Sequence, residues 1–246
     1  MDELYLGLTV SRGKKYKLLG MNRHKRICPE AIEEFGEDVR KKVSSPAAHG
    51  LFQGDLESSP LSKEKSDVFH SVVAKLLWVM KRGRPDIETT IAFLCTRVKG
   101  PTCQDWCKLR RLIRFLHDII DDIRTIRVDN LMTLFTWVDV AYAVHDNMRS
   151  HTGGAMSMGL DVLHARSSKQ KLNTKSSTEA EVVGVSDYLP WNLHFVIFLR
   201  EQGYTVKENY STRITKTQLR WKPTEGCRAR ATPNMSTLGT SLSRIE

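Results

Sequence analysis

No uninterrupted apolar run in this 246-residue chain approaches the ~20 residues that cross a bilayer, so no membrane partner is expected. A secretory leader is not expected either. The chain opens Met1-Asp2-Glu3, acidic where such a leader is basic, and an intracellular protein, cytoplasmic or nuclear, is expected. Cysteine is sparse, with Cys28, Cys95, Cys103, Cys107 and Cys227 only. Cys103 and Cys107 lie four apart on a predicted helix, a spacing that suits a metal. No second pair has ligand spacing, and free thiols are the expectation. Acid is short as well: 28 Asp and Glu against 38 Lys and Arg leave a net charge of +10. Such an excess suggests a polyanionic partner. Half of it falls in residues 211–246, which hold seven basic and two acidic residues. The rest of the chain carries an excess that many proteins without such a partner share.

The apolar pattern implies an α+β chain. Residues 4–19 read as a hairpin turning through Ser11-Arg12-Gly13-Lys14. Pro29 opens a predicted helix to about Val39, and residues 50–67 form a polar, flexible loop. Three helices follow: a stripe of Phe69, Val72, Val73, Leu76, Leu77 and Met80, a second from Pro85 to Val98, and a third marked by Trp106, Leu109, Leu112, Ile113 and Leu116. The outer face of the third carries Lys108, Arg110, Arg111 and Arg114, either a solvated helix face or one that tracks phosphates. Trp78, Trp106 and Trp191 fall on apolar stripes, which favours core packing over base stacking. From Ile123 the texture turns to strands, 123–128, 131–138, 155–158 and 162–165. Helices are then predicted from Thr178 to about Tyr188 and from Pro190 through Leu199.

Two acids stand out within this pattern. Asp139 closes the strand-like run from Leu134 to Val138, and Glu181 sits one turn into a segment whose start, Ser176-Ser177-Thr178-Glu179, looks like a helix N-cap. Divalent cations such as Mg²⁺ take oxygen ligands, and a strand-end acid facing a helix-start acid is one way to supply them. Glu179 is read as capping its helix.

The stretch from Lys169 to Glu181, Lys-Gln-Lys-Leu-Asn-Thr-Lys-Ser-Ser-Thr-Glu-Ala-Glu, resembles the signature of ribonuclease H domains in copia-type LTR retrotransposon Pol polyproteins. Ser150-His151-Thr152-Gly153-Gly154 resembles the turn and second strand of that domain. Arg84-Pro85-Asp86-Ile87 and the segment Trp106–Leu116 look like the helical link between reverse transcriptase and ribonuclease H. Leu6-Gly7-Leu8-Thr9-Val10 resembles the last hairpin of the polymerase. The likeness runs in order over about residues 3 to 210. It implies a reverse transcriptase edge (1–49), a flexible loop (50–67), a helical connection (68–122) and an incomplete ribonuclease H-like mixed sheet with helices (123–210). Asp139 and Glu181 are implied as catalytic Mg²⁺ ligands. Lys108, Arg110, Arg111, Arg114 and His151 are candidates for contact with an RNA–DNA hybrid or other nucleic acid, although His151 also suits a turn-stabilising role. A complete Pol polyprotein is a further expected partner.

The likeness breaks at two places. The family's third carboxylate belongs to an Asp-Asn-Gln motif on the strand after Tyr204-Thr205-Val206, and this chain has none there. Reading permitted codons for Thr212–Gln218 from the third base of the Thr212 codon restores Gln-Asp-Asn-Gln-Asn-Ala. The same offset over Asn234–Glu246 restores a closing His-rich and Arg-Tyr segment. A frameshift near residue 210 is therefore expected, with 211–246 an out-of-frame, disordered tail. The polymerase Tyr-x-Asp-Asp is also missing, and Asp121-Asp122 reads as a solvated turn. The expectation is a truncated, inactive remnant of an enzyme of RNA-directed DNA synthesis and hybrid cleavage. The alternatives are a non-catalytic nucleic-acid-binding module, and a weak ribonuclease H that recruits Asp146 or Asp187.

Overall fold

A computed structural model describes residues 3–5, 8–10, 16–18, 22–55, 57–120, 124–213 and 218–221, which fall into two compact units. The expected turn at 11–14, the Asp121-Asp122 turn and residues 214–217 and 222–246 lie outside the described residues.

The first unit is mainly helical. Strands β1 (Glu3–Tyr5) and β2 (Leu8–Val10) pair with each other, Leu4 opposite Thr9, so the run expected as one hairpin arm is itself a hairpin. β3 is Tyr16–Leu18. Helix α1 (Asn22–Phe35) starts seven residues before Pro29, which it contains. Helix α2 (Lys63–Arg82) takes its first turn from the polar stretch expected as a loop, because the Ser62 hydroxyl accepts from the Lys65 backbone N–H at 3.4 Å. Leu51, in the same stretch, is buried. A 3₁₀ turn at Pro85–Ile87 leads into α3 (Glu88–Arg97). Helix α4 (Cys103–Asp118) opens with a capping box between Thr102 and Asp105. One core joins Ala31 and Phe35 of α1, Phe69, Val72, Val73 and Leu76 of α2, Ile91 and Leu94 of α3, and Leu109, Leu112 and Ile113 of α4. Leu77, expected in that stripe, is exposed, and Val79 takes its place. The four described cysteines are free thiols. Burial pushes the Cys28 thiol up to about 11.

The second unit is a mixed sheet with one helix on it. β4 (Arg124–Val128) pairs with the short β7 (Gly159–Leu160). The main sheet runs in the order β10 (Gln218–Trp221), β9 (Glu208–Arg213), β5 (Thr133–Ala141), β6 (His151–Ser157), β8 (His164–Lys169). The β5–β9 pair is parallel and its neighbours are antiparallel. Helix α5 (Ser177–Glu201) is the crossover into β9 and is continuous where two helices were expected. Pro190 deprives it of one backbone hydrogen bond without ending it. Residues 211–213 and 218–221, expected in a disordered tail, form strands here, with Leu219 opposite Ser211.

α5 lies on the sheet at two glycines. A Cβ on Gly154 would meet the Tyr188 ring at 2.1 Å, and one on Gly184 would meet the Val140 side chain at 2.4 Å. Each glycine admits the opposite layer where no other residue fits. One helical turn beyond Tyr188 a buried amide cluster sets the parallel register. Asn192 donates to the Thr136 hydroxyl (2.7 Å) and to Asn209 Oδ1 (2.9 Å), and Asn209 donates back to Asn192 Oδ1 (2.7 Å). Leu134, Val138, Met156, Tyr188, Leu199 and Val206 complete this core. By length and composition α5 is apolar enough to cross a membrane, a property that no uninterrupted apolar run announces. One side of it packs on β5 and β6, while Leu193, Ile197 and Phe198 are exposed.

Candidate functional site

Asp139 is exposed near the end of β5, in register with Gly153 of β6. Strand alternation decides its direction. Thr136 and Val140 face α5, the first bonded to Asn192 and the second against Gly184, so Asp139 belongs to the opposite face. Glu181 is half-buried in the second turn of α5. The helix start is built as expected: the Ser176 hydroxyl accepts from the Glu179 N–H at 3.2 Å, and the Glu179 carboxylate accepts from the Lys175 N–H at 2.7 Å.

A third acid belongs on β9, the strand beside β5. The only carboxylate there is Glu208, in register with Thr133 at the far end of β5 and bonded by the Tyr210 hydroxyl at 2.9 Å. Six residues along a strand put it roughly 20 Å from the level of Asp139. The last described residue of β9, Arg213, is in register with Val138. Asp146 is exposed between β5 and β6, and Asp187 is exposed on α5. No group of three or more His, Cys, Asp or Glu among the described residues is placed to hold a metal ion. The described donors do not fit the two-magnesium site that the resemblance implies.

His151 is no surface contact. It is 5 % exposed at the start of β6, with Nδ1 3.0 Å from His145 Nε2 and Nε2 2.6 Å from the Ser167 hydroxyl. Burial, then the neighbouring His145 and Lys169, hold the His151 pKa down at about 3. Burial and Lys169 hold His145 at about 4, against a smaller opposing pull from Asp146. Both rings are neutral near pH 7.

Comparison with known proteins finds relatives of this chain. Over 208 residues the chain is 25% identical to a retrovirus-related Pol polyprotein from transposon TNT 1-94 of Nicotiana tabacum, covering 82% of the chain and 16% of that polyprotein. A putative transposon Ty5-1 protein of Saccharomyces cerevisiae is 26% identical, with 71% of the chain and 60% of that protein covered. The Ty1-NL2 Gag-Pol polyprotein of the same yeast is 26% identical, over 75% of the chain and 11% of its own length. This chain is related to retrotransposon Pol polyproteins. It spans only part of each of these relatives. No protein-family model and no solved structure matches it.

The cationic face of α4 in this Pol-related chain has an intramolecular job. Lys108 Nζ donates to the Gln53 carbonyl at 2.7 Å and lies 4.5 Å from the centre of the Phe93 ring. Arg110 pairs with Glu37, which also accepts from the Trp106 indole at 2.7 Å. Arg111 donates to the Ser45 carbonyl and hydroxyl at 3.2 and 3.1 Å, and Arg114 to the Asp38 carbonyl at 3.3 Å. All four side chains are half-buried under residues 37–53. The expected outer face is therefore a seam that docks the segment after α1, and helical spacing alone gives no sign of what covers it.

Trp106 is in the core as expected, whereas Trp191 is at the surface between His164 (ring centroids 4.9 Å apart) and Arg166 (5.1 Å). Sequence reasoning missed a row of rings in the Pol-related chain. Phe135 and Trp137 lie 6.1 Å apart with an interplanar angle of 19°, and Phe135 and Tyr210 5.5 Å apart at 13°. The alternation Phe135-x-Trp137-x-Asp139 was the available signal.

Proposed function

We propose that this chain is the connection and ribonuclease H-like part of a copia-type retrotransposon Pol polyprotein, and that it does not cleave RNA in RNA–DNA hybrids. The observation that carries the second half is the register of β9. The only acid of that strand lies roughly six residues from the level of Asp139. Losing one acid removes a coordination bond and also the negative charge that draws in a second dication. Relatedness to Pol polyproteins and the mixed sheet with a crossover helix support the first half.

The test is hybrid cleavage with Mg²⁺ supplied, comparing the chain with an Asp139→Asn, Glu181→Gln double variant. Equal, background rates are expected. Turnover by the unaltered chain clearly above the double variant would refute the reading and point to a recruited acid such as Asp146 or Asp187.

A further inference from the structure

We propose that Cys103 and Cys107 form a binding site for one soft, monovalent d¹⁰ cation of the copper(I) class on the exposed face of α4. The inference stands apart from the Pol reading and from hybrid cleavage. Both thiols are free and exposed, although free cysteine is among the most buried residue types. They sit on successive turns of a helix that the Thr102–Asp105 capping box fixes at its start and that Leu109, Leu112 and Ile113 anchor in the core. Residues four apart on a helix are neighbours, with Cβ atoms about 5–6 Å apart. A disulfide needs about 3.5–4.5 Å between Cβ atoms, so this pair is too wide for a direct S–S bond. Two metal–thiolate bonds of about 2.3 Å each span the extra distance through a single atom.

Each sulfur already has a polar partner. Cys103 Sγ is 3.3 Å from the Ser59 hydroxyl, and the Arg110 guanidinium donates to Cys107 Sγ at 3.7 Å. Binding exchanges protons for metal: two thiols and one cuprous ion give a singly negative bis-thiolate complex, and both protons leave to solvent with no change of oxidation state. The Arg110 cation, held in place by its pair with Glu37, lies where that negative charge forms. The number of ligands selects the ion. Thiolates favour soft cations such as Cu(I) and Zn²⁺, but structural zinc takes four ligands. Among the described residues no group of three or more His, Cys, Asp or Glu is placed to hold a metal, so the two thiols act without a third such ligand. A monovalent d¹⁰ ion is satisfied by two thiolates, and zinc is not.

The experiment is a titration of the full, reduced chain with Cu(I) under ascorbate, against a chromophoric Cu(I) chelator. It is read at the chelator and at the ultraviolet thiolate-to-copper charge-transfer band. Uptake of one copper per chain is expected. Cys103→Ser and Cys107→Ser should each weaken binding at least roughly 100-fold, because one thiolate without its neighbour loses the chelate advantage. Cys95→Ser and Cys227→Ser should leave it unchanged, and Zn²⁺ should not compete. Mild oxidation of the metal-free chain should give no Cys103–Cys107 disulfide. If one of the two Ser variants in α4 loses its helical circular dichroism, the other carries the test. Failure of the unaltered chain to take copper from the chelator, undiminished binding in a folded Cys103→Ser or Cys107→Ser variant, displacement of copper by equimolar Zn²⁺, or a Cys103–Cys107 disulfide overturns the proposal.

Discussion

Gly154→Ala is expected to destabilise the sheet unit by about 3 kcal/mol, a large share of the ~5–15 kcal/mol that keeps a domain folded. The added methyl would sit 2.1 Å from Tyr188 Cδ2 and 2.3 Å from Cε2. Tyr188 is 1% exposed, its hydroxyl donates to the His164 carbonyl at 3.3 Å, and it lies 3.0 Å from His164 Nδ1. Rotating the ring away breaks those contacts, and lifting α5 instead opens the contact at Gly184 and the Asn192–Asn209 amide pair. Native-state hydrogen exchange reads the effect directly: amides of β5 and β6 should lose protection, while those of α2 and α4 keep theirs. Tyr188→Leu makes room for the methyl, so the double variant should be less destabilised than the two single changes added together. Undiminished β6 protection in Gly154→Ala would show that the helix is not seated as described.

Acid should weaken the same unit before carboxylates matter. His145 and His151 titrate near 4 and 3 in the folded chain and near 6.5 unfolded. Above pH 6.5 both states hold both rings neutral, and the full stability is present. As pH falls below 6.5 the unfolded chain takes up protons that the folded chain refuses. Stability then drains away until the folded pKa values are passed near pH 3–4. The loss is roughly 2 kcal/mol per histidine by pH 5, an order-of-magnitude figure for two rings in contact. Denaturation followed by β6 amide protection at pH 7.5 and pH 5 measures it. A His145→Gln, His151→Asn double variant should show a much flatter pH dependence, and one that kept the original slope would place the proton uptake elsewhere.

Much of this chain is legible in the order of its residues. The Ser176 cap and Glu179 follow from hydrogen bonding within one turn, which needs no distant partner. The helices α2–α4 and their core stripes follow from periodicity, with Val79 replacing Leu77 at one position. Local signals fail where a neighbour decides the outcome. Pro29 and Pro190 read as helix starts, yet α1 and α5 run through both, because packing on a core outweighs one missing hydrogen bond. Strand propensity fades after residue 210, yet β9 continues to Arg213 and pairs with 218–221. Its parallel alignment with β5 is held from the other side by the buried Asn192–Asn209 pair.

By itself the sequence determined the α+β class, the relationship to Pol polyproteins, and the shortage of acids after Tyr204, since each is a matter of residue identity and order. Only the tertiary structure decided what those residues face. Lys108, Arg110, Arg111 and Arg114 are spaced like an open cationic surface, and it took the chain at 37–53 folding over them to turn them into internal contacts. His151 resembled a surface contact until β8 and the β5–β6 turn closed on it. The pleat of β5 sent Asp139 to the ring-bearing face and Val140 to the helix. Burial and register are properties of pairs of segments far apart in the chain, and a single segment carries no record of its partner.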